Sequence, residues 1–310
     1  MAKGKSPKNS KQDVKTTVII VLAFTVAVLL FMLFSKEKHK AQPRGTAPKM
    51  EQPKIKPMVV LPAPVKLLPV KKVPPGSAGR IAFVLDDWGY NTDNCHYLKE
   101  ITDPLAVAIL PPYVFSPTDK LLHAQDVAKC AKANGKTIML HLPLEPQSNK
   151  GLDSYPADYL INSSMSPKKV EKILEGYIAQ IPGVEGVNNH TGSKATEDPQ
   201  LMKIIFKRLK SKKLFFIDSI TAKDSICKKV AREVGLPFAR RNALFLDNDK
   251  DKESIRKMFK ELVLTAHRDG YAIAIGHDNH LTLEVLKEQI PLLKQQGFAI
   301  VDIKELLNNQ

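Results

Sequence analysis

The sequence predicts an α/β fold, a distorted (β/α) barrel of seven or eight units. Short apolar runs alternate with amphipathic helical segments throughout residues 80–310. Such alternation is typical of a parallel sheet covered by helices, and seven or eight units close economically into a barrel. Polar residues also follow the apolar runs repeatedly, and folds of this kind bind ligands at the carboxyl ends of their strands.

The first predicted strand, 81–86, lies in the stretch IAFVLDDWGY, whose continuous apolar run is typical of a fully buried strand. The other strands are predicted at 105–110, 137–142, 184–188, 214–218, 241–246, 271–276 and 298–301. Helices are predicted between most of them, at 117–134, 167–180, 199–212, 223–234, 251–269 and 281–296. Ser166-Pro167 and Asp198-Pro199 each place a capping residue before a proline at the first helical position.

Residues 17–34, TVIIVLAFTVAVLLFMLF, form an uncharged apolar run with lysines on both sides. At ~1.5 Å per residue, a helix over this run spans ~27 Å, close to the hydrocarbon core of a bilayer. We predict an uncleaved transmembrane helix here, after a short cytoplasmic tail at 1–16. A cleaved signal peptide is the alternative, but the run is long for one and no small-x-small pattern follows Phe34 closely. The flanking charges are nearly balanced and do not settle the orientation.

Residues 35–79 carry nine prolines and ten Lys or Arg, a composition that favours an extended, semi-rigid spacer. Residues 1–79 hold 15 Lys and Arg against 3 Asp and Glu, whereas residues 80–310 hold 32 against 29. Because the basic excess lies in the tail, nucleic acid is disfavoured as a partner, and anionic lipid or an anionic envelope polymer is favoured. The expected location is the cell inner membrane, single-pass, with the domain at 80–310 extracytoplasmic.

Polar residues close strand after strand of the predicted sheet. They are Asp86 and Asp87 at the first strand, His141 at the third, Asn188, Asn189 and His190 at the fourth, Asp218 at the fifth, Asp247 at the sixth, and His277, Asp278 and His280 at the seventh. Adjacent carboxylates repel each other unless a cation or a shared proton relieves them, which favours a metal or acid–base role. A helix N-cap aspartate beside a solvated one is the alternative for the pair taken alone. A single histidine near a strand is more often an ordinary core residue. The recurrence of polar residues at the same end of several predicted strands favours a functional site. A carboxylate with two imidazoles is a common ligand set for catalytic Zn²⁺.

Six sequence blocks follow one another in a characteristic order: IAFVLDDWGY, HLPLEP, GVNNHTGS, FFIDSITAKDS, ARRNALFLD and AIGHDNHLTLEVL. In this order they resemble the divergent polysaccharide deacetylases, a branch of the carbohydrate esterase family four superfamily. The resemblance covers about Arg80 to Leu306. It implies a distorted (β/α) barrel, usually of seven units, and metal-dependent removal of N- or O-acetyl groups from a cell-envelope polysaccharide.

The resemblance also implies roles for four residues at the strand ends. Asp86 is expected to be the catalytic base and His277 the general acid. Asp87 and His190 are expected to be ligands of Zn²⁺ or a similar divalent ion. In this mechanism the base takes a proton from the attacking water, and the acid protonates the departing amine or alcohol.

One departure from the parent superfamily concerns the third metal ligand. That superfamily supplies two ligands as His-x-x-x-His, whereas here Lys194 stands at the second position. The third ligand must come from elsewhere, and His141 is our candidate. Asp218 and Arg241 are candidates for residues that orient the base or pair with it, an ordinary buried ion pair being the alternative.

Two hypotheses of function follow. The first is a membrane-anchored, metal-dependent deacetylase of an envelope polysaccharide, and the second is a catalytically inactive glycan-binding or scaffold protein with the same barrel. Neither a P-loop nor a G-x-S-x-G motif is present, so nucleotide and serine-hydrolase chemistry are disfavoured. The three cysteines have no CxxC spacing and predict no thiolate metal site or disulfide framework, although one disulfide remains open.

Overall fold

A computed structural model describes residues 74, 76–112, 123–148 and 158–308. The predicted tail at 1–16, the predicted transmembrane helix at 17–34 and nearly all of the predicted linker at 35–79 lie outside these residues. Within the described ranges, no helix has the length and apolar character needed to cross a membrane. The chain divides into two units, and every described residue belongs to the second, Leu68–Gln310.

One parallel sheet forms a near-closed barrel, which confirms the predicted α/β barrel. Its strands are β1 Gly79–Trp88, β2 Ala106–Ile109, β3 Thr137–Leu144, β4 Gly186–Thr191, β5 Phe215–Asp218, β6 Phe238–Arg240, β7 Tyr271–His277 and β8 Phe298–Ile300. Seven strands follow the order β6-β5-β4-β3-β2-β1-β7, and β8 pairs with the start of β1. All these pairings are parallel, as expected for strands separated by crossover helices.

The predicted strand at 241–246 is wrong, because the sixth strand is the shorter segment Phe238–Arg240 that precedes it. Residues 241–246 instead bridge the gap between β6 and β7. The Asn242 side chain accepts a hydrogen bond from the Ile273 N–H (2.8 Å), and the Leu246 N–H donates to the Ile275 carbonyl (2.9 Å). Since a side chain replaces part of the main-chain ladder, the segment contacts β7 without being a regular strand.

Helices cover the outside of the barrel. Their bounds are α1 Cys95–Glu100, α2 Ala124–Ala133, α3 Pro167–Gln180, α4 Pro199–Ser211, α5 Cys227–Val234, α6 Lys252–Asp269 and α7 His280–Gln295. Both predicted caps are present: the Ser166 side chain accepts from the Lys169 N–H, and the Asp198 side chain accepts from the N–H groups of Gln200 and Leu201. The predicted helix at 223–234 begins four residues late, and α1 was not predicted. Part of the predicted helix at 117–134 lies outside the described residues.

Alternate residues of each strand face opposite sides of the sheet, which separates two apolar clusters. One face packs against the helices and includes Ile81, Phe83 and Leu85 of β1. The other face fills the barrel, with small residues such as Ala82 beside larger ones. The other interior residues in the strands are Val84, Ala106, Ala108, Met139, Phe215, Ile217, Ala239, Ile273 and Ile275. Toward the carboxyl ends of the strands, polar residues occupy the same interior-facing positions.

Gly186, the first residue of β4, accommodates the Phe215 ring inside the barrel. A Cβ atom added at Gly186 would lie 2.2 Å from atoms of this buried ring. We predict that Gly186→Ala lowers the free energy of unfolding by roughly 1–3 kcal/mol, because the ring must move within a packed core. Denaturant unfolding monitored by circular dichroism measures the change.

Gly176→Ala in α3 is the matched control, because no atom lies within 4 Å of the added Cβ. A helical alanine there should be neutral or stabilise the protein by about 1 kcal/mol. Equal unfolding free energies for the two variants would contradict the packing described for the barrel interior.

Candidate metal centre

Strand parity brings polar side chains together at the carboxyl end of the barrel. Asp86 continues the interior positions 82 and 84 of β1, and His141 continues position 139 of β3. Asn188 and His190 hold the same parity in β4. The pairing register places His141 opposite Asn188 and Asp86 opposite His277 of β7. These side chains therefore share one end of the barrel interior because of their spacing along each strand and the register between strands.

Asp87 has the opposite parity and reaches the same point by a local backbone distortion. Its φ angle is +63°, in the left-handed region, and the register of β1 against β2 shifts between Leu85 and Trp88. A bulge of this kind redirects one side chain, and a non-glycine residue holds a left-handed conformation only where its surroundings enforce it. The Asp87 carboxylate consequently joins the histidines rather than the outer face of the sheet.

Three potential ligand atoms form a nearly equilateral triangle. Asp87 Oδ1 lies 3.2 Å from His141 Nε2 and 3.1 Å from His190 Nδ1, and the two nitrogens lie 3.2 Å apart. Ligands at ~2.1 Å from one ion in tetrahedral directions would be about 3.4 Å from each other. The separations in this triangle thus fit one small divalent ion, and this is the group of His and carboxylate residues that the described structure offers to a metal.

The hydrogen bonds of Asn188 determine which nitrogen of His141 faces the triangle. Asn188 Nδ2 donates to Asp86 Oδ1 at 2.7 Å, so its Oδ1 accepts from His141 Nδ1 at 2.9 Å. With the proton on Nδ1, the neutral imidazole presents a lone pair at Nε2. That lone pair points toward Asp87 and is available to a metal.

Asp87 Oδ1 is buried and has no hydrogen bond of acceptable geometry, although both imidazoles lie within ion-pair distance. The short contacts are thus electrostatic rather than well-directed hydrogen bonds. Burial raises the pKa of Asp87, but His141 and His190 outweigh burial and hold that pKa below its usual range. An ionised, incompletely satisfied carboxylate at this depth favours a cation beside it.

The two imidazoles respond differently to these surroundings. Burial lowers the pKa of His141, but the charges of Asp86 and Asp87 outweigh it and raise the pKa. Burial also lowers the pKa of His190, and there burial prevails. A proton on His141 and a metal ion are therefore alternative ways of supplying positive charge to the cluster, and binding a metal releases protons from its ligands.

Asp86 lies behind the triangle and is 2% exposed. Its Oδ2 atom is 3.8 Å from His141 Nε2, beyond hydrogen-bond distance. Burial outweighs the charges of His141 and His277 and raises the pKa of Asp86 above its usual range. A carboxylate with a raised pKa is a stronger base, which suits a group that accepts a proton.

His277 is held by a buried carboxylate, Asp247. Asp247 Oδ1 accepts from His277 Nδ1 at 2.8 Å, and Oδ2 accepts from the His277 N–H at 2.8 Å and from the Thr282 hydroxyl at 2.7 Å. Burial lowers the pKa of His277, but the hydrogen bond and charge of Asp247 outweigh it and raise the pKa to about 9. The Phe245 ring stacks on the imidazole at 5.6 Å between centroids. At neutral pH His277 therefore carries a proton that it can donate.

Asp218 and Arg241 make no direct hydrogen bond to Asp86, although burial, which lowers the pKa of Arg241, is opposed by the charges of Asp218 and Asp86. Asp218 accepts from the Ser225 hydroxyl (2.6 Å) and the Ile220 N–H (2.9 Å). Arg241 donates to backbone carbonyls, including that of Ser219 (2.9 Å). Its guanidinium carbon lies 4.1 Å from the centroid of the Phe245 ring. Arg241 therefore supports the ring that stacks on His277, while Asp218 holds the turn after β5.

Sequence reasoning missed the roles of Asn188 and Asp247, although both were recognised at strand ends. The interior-facing position of Asn188 in its strand could have predicted its role in the centre. For Asp247, the sequence offered no signal beyond its position at a predicted strand end. Lys194, at the position of the missing histidine, pairs instead with Glu145 (Nζ to Oε1, 2.8 Å). Asp278, the residue after β7, accepts a hydrogen bond from the Asn94 side chain at 2.7 Å. Burial raises the pKa of Asp278 to about 6.

We predict that Asp247→Asn lowers the pKa of His277 from about 9 toward the ordinary value of about 6.5, because the charge and the hydrogen-bond acceptor are lost. Because the pKa of His277 is higher in the folded than in the unfolded state, its protonation stabilises the folded state. This stabilisation is fully present below the unfolded-state pKa and is lost as the pH rises through 9. NMR titration of the His277 ring measures the pKa directly.

Asp249→Asn, an exposed neighbour on the same segment, is the matched control and should leave the titration of His277 unchanged. If His277 still titrated near 9 in Asp247→Asn, its pKa would have another cause and the pairing described above would be incorrect.

Comparison with known proteins identifies the family of this chain. Residues 83–307 match the family described as divergent polysaccharide deacetylase. The uncharacterized protein YibQ of Escherichia coli is 31% identical over 234 residues, covering 76% of this chain and 69% of that protein. An uncharacterized protein of Haemophilus influenzae is 32% identical over 233 residues, covering 74% and 78%. The crystal structure of the uncharacterized protein ATU2773 of Agrobacterium tumefaciens shares the fold, with a TM-score of 0.65, 20% identity, and coverage of 74% and 89%. The chain thus belongs to the divergent polysaccharide deacetylase family.

Proposed function

We propose that this protein is a membrane-anchored, metal-dependent deacetylase that hydrolyses N- or O-acetyl groups of a cell-envelope polysaccharide. The observation that carries the proposal is the triangle of Asp87 Oδ1, His141 Nε2 and His190 Nδ1, with separations of 3.1–3.2 Å, beside the buried Asp86. Membership of the deacetylase family implies a polysaccharide substrate.

Asp87, His141 and His190 would hold Zn²⁺ or a similar divalent ion through one carboxylate and two imidazoles. When bound, such an ion lowers the pKa of a water molecule and polarises the acyl carbonyl of the substrate. The protein contributes the orientation of the ligands, since Asn188 fixes His141 through Nδ1 at 2.9 Å. Supporting contacts of this type make a ligand more basic and restrict its ring.

Asp86 is suited to accept the proton of the attacking water. It is not one of the three ligands, and the single strong hydrogen bond to Oδ1, from Asn188, leaves Oδ2 available. The adjacent carboxylates take different roles because their environments differ: Asp87 is directed at the imidazoles, whereas Asp86 is enclosed by the barrel.

His277 is suited to donate a proton to the departing nitrogen or oxygen. Its Nδ1 proton is committed to Asp247, so the proton on Nε2 is the one that can be transferred. The raised pKa, about 9, keeps that proton in place at neutral pH until charge develops on the leaving group.

A catalytically inactive glycan-binding protein is the second candidate. The observation that favours it is Lys194, which stands where the parent superfamily has a histidine and which is paired with Glu145. In such a protein, a proton on His141 would supply the positive charge that the cluster requires.

We further propose that residues 17–34 anchor the protein in the inner membrane, that residues 35–79 are a spacer, and that the domain at 80–310 is extracytoplasmic. The support is the uncharged apolar run and the Pro- and Lys-rich composition that follows it. An envelope polysaccharide would then lie within reach of the centre.

We predict that the purified protein binds close to one Zn²⁺ per chain and that His190→Ala abolishes binding, because two remaining ligands hold an ion weakly. Asp86→Asn should retain the metal and lose deacetylation of acetylated glycan oligomers, because it removes the base without removing a ligand. Elemental analysis and release of acetate measure the two properties.

His96→Ala, which removes an exposed imidazole outside the triangle, should keep both metal and activity. A wild-type protein without metal affinity, or an Asp86→Asn variant as active as wild type, would reject the enzyme and favour the inactive binding protein.

We predict that a reporter enzyme active only in the periplasm is active when fused after Gln310, whereas a reporter active only in the cytoplasm is inactive when fused at the same place. The physical reason is that a single helix over 17–34 would place the two ends on opposite sides of the membrane. The reverse pattern of activities would show that the orientation is inverted.

A further inference from the structure

The charge of the folded domain is concentrated on one side of the barrel. Residues 199–240, which include α4, β5, α5 and β6, hold eleven Lys and Arg against three Asp and Glu. The remainder of residues 80–310 holds 21 against 26. The domain is therefore close to neutral overall but has a basic α4–α5 side and an acidic remainder, and such asymmetry creates a local positive potential.

Three cations of α5 are exposed and lack internal partners. Lys228, Lys229 and Arg232 form no ion pair with any residue that the structure describes, unlike Lys203, which approaches Glu233 at 3.8 Å. Because Lys228 and Arg232 are one helical turn apart, about 6 Å along the axis, they present charge at a regular interval. These cations contribute little to the fold and are available to an external anion.

The same cations line an open groove of about 800 Å³ on the outside of the barrel. The Arg240 side chain contributes to its wall, and Leu236 and Pro237 contribute apolar surface. No acidic residue is among the described residues that line it. A groove with cations above an apolar surface suits a chain that carries both acidic groups and apolar ring faces.

The groove begins at the end of the barrel that carries the candidate metal centre. Arg240 is the last residue of β6 and is in register with Asp218, the last residue of β5. Ser225, which also lines the groove, donates to Asp218 Oδ2 at 2.6 Å. The opposite end reaches Phe238, at the amino end of β6. A linear ligand in the groove would therefore extend along the barrel from the rim of the active end.

We propose that this groove, the α5 groove, binds an acidic segment of the polysaccharide substrate through Lys228, Lys229 and Arg232. The inference rests on the proposed function and adds the substrate class: a linear glycan that carries carboxylate, sulfate or phosphate groups. The concave shape and the start at the catalytic end favour a glycan strand over a membrane, which would contact a convex face.

The test compares the binding of two labelled polymers of equal length, dextran sulfate and uncharged dextran, to the full-length protein in detergent. Dextran sulfate should bind, with an affinity that decreases as salt increases, and uncharged dextran should bind at least tenfold more weakly. The triple variant Lys228→Glu, Lys229→Glu, Arg232→Glu should lose at least tenfold in affinity for dextran sulfate. Hydrogen exchange should show protection of 225–240 by dextran sulfate in the wild type.

The matched control is the triple variant Lys99→Glu, Lys257→Glu, Lys260→Glu, which makes the same change in net charge at exposed helical lysines. Because the basic segment 35–79 is present in both triple variants, its contribution cancels in the comparison. The proposal would be overturned if the two triple variants bound dextran sulfate with affinities within twofold of each other. Equal binding of dextran sulfate and uncharged dextran by the wild type would also overturn it.

Two further measurements distinguish this proposal from others. The α5 triple variant is also tested for binding to phosphatidylglycerol vesicles. If its affinity for vesicles fell more than its affinity for dextran sulfate, the result would favour membrane docking and overturn the proposal. The metal content of the α5 triple variant should equal that of the wild type. A protein that binds no metal but still discriminates between the dextrans would reject the deacetylase and leave the groove proposal supported.

Discussion

The Asn188 side chain joins the two halves of the candidate centre, and their chemistry depends on it. Its amide nitrogen donates to Asp86 and its amide oxygen accepts from His141. Because the donor and the acceptor belong to one planar group, the proton of a neutral His141 is directed to Nδ1 and its lone pair to Nε2. The amide is fully buried, so water cannot replace either bond, and the loss of one partner would leave a costly unsatisfied group.

Barrel geometry gives the two adjacent carboxylates separate roles. Asp86 follows the interior parity of β1, whereas Asp87 reaches the imidazoles only because its backbone adopts a left-handed conformation. The candidate base and the candidate ligand are therefore adjacent in sequence, and the backbone conformation at Asp87 gives them different roles. On the far side of the centre, Asp247 keeps His277 protonated, so a proton acceptor and a proton donor face the same space.

Much of the fold followed from the sequence because strand parity and helix caps are local. Asp86, His141 and His190 were found from their positions at strand ends, and Ser166 and Asp198 cap helices as predicted. The sixth strand was misplaced because side chains of 241–246 replace main-chain contacts. The helix α1 escaped notice because its six residues have no side-chain cap. The bonds of Asn188 and the position of Arg241 depend on contacts between distant segments, which no local pattern contains.

The most direct measurement for the central claim is X-ray absorption at the zinc edge of the zinc-loaded protein. Two imidazoles and one carboxylate predict only nitrogen and oxygen neighbours at ~2.0–2.2 Å, with the outer-shell scattering of two imidazole rings. Spectra of His190→Ala should lack this pattern. A sulfur neighbour at ~2.3 Å, or a hydrated ion without imidazole scattering, would contradict a centre formed by Asp87, His141 and His190.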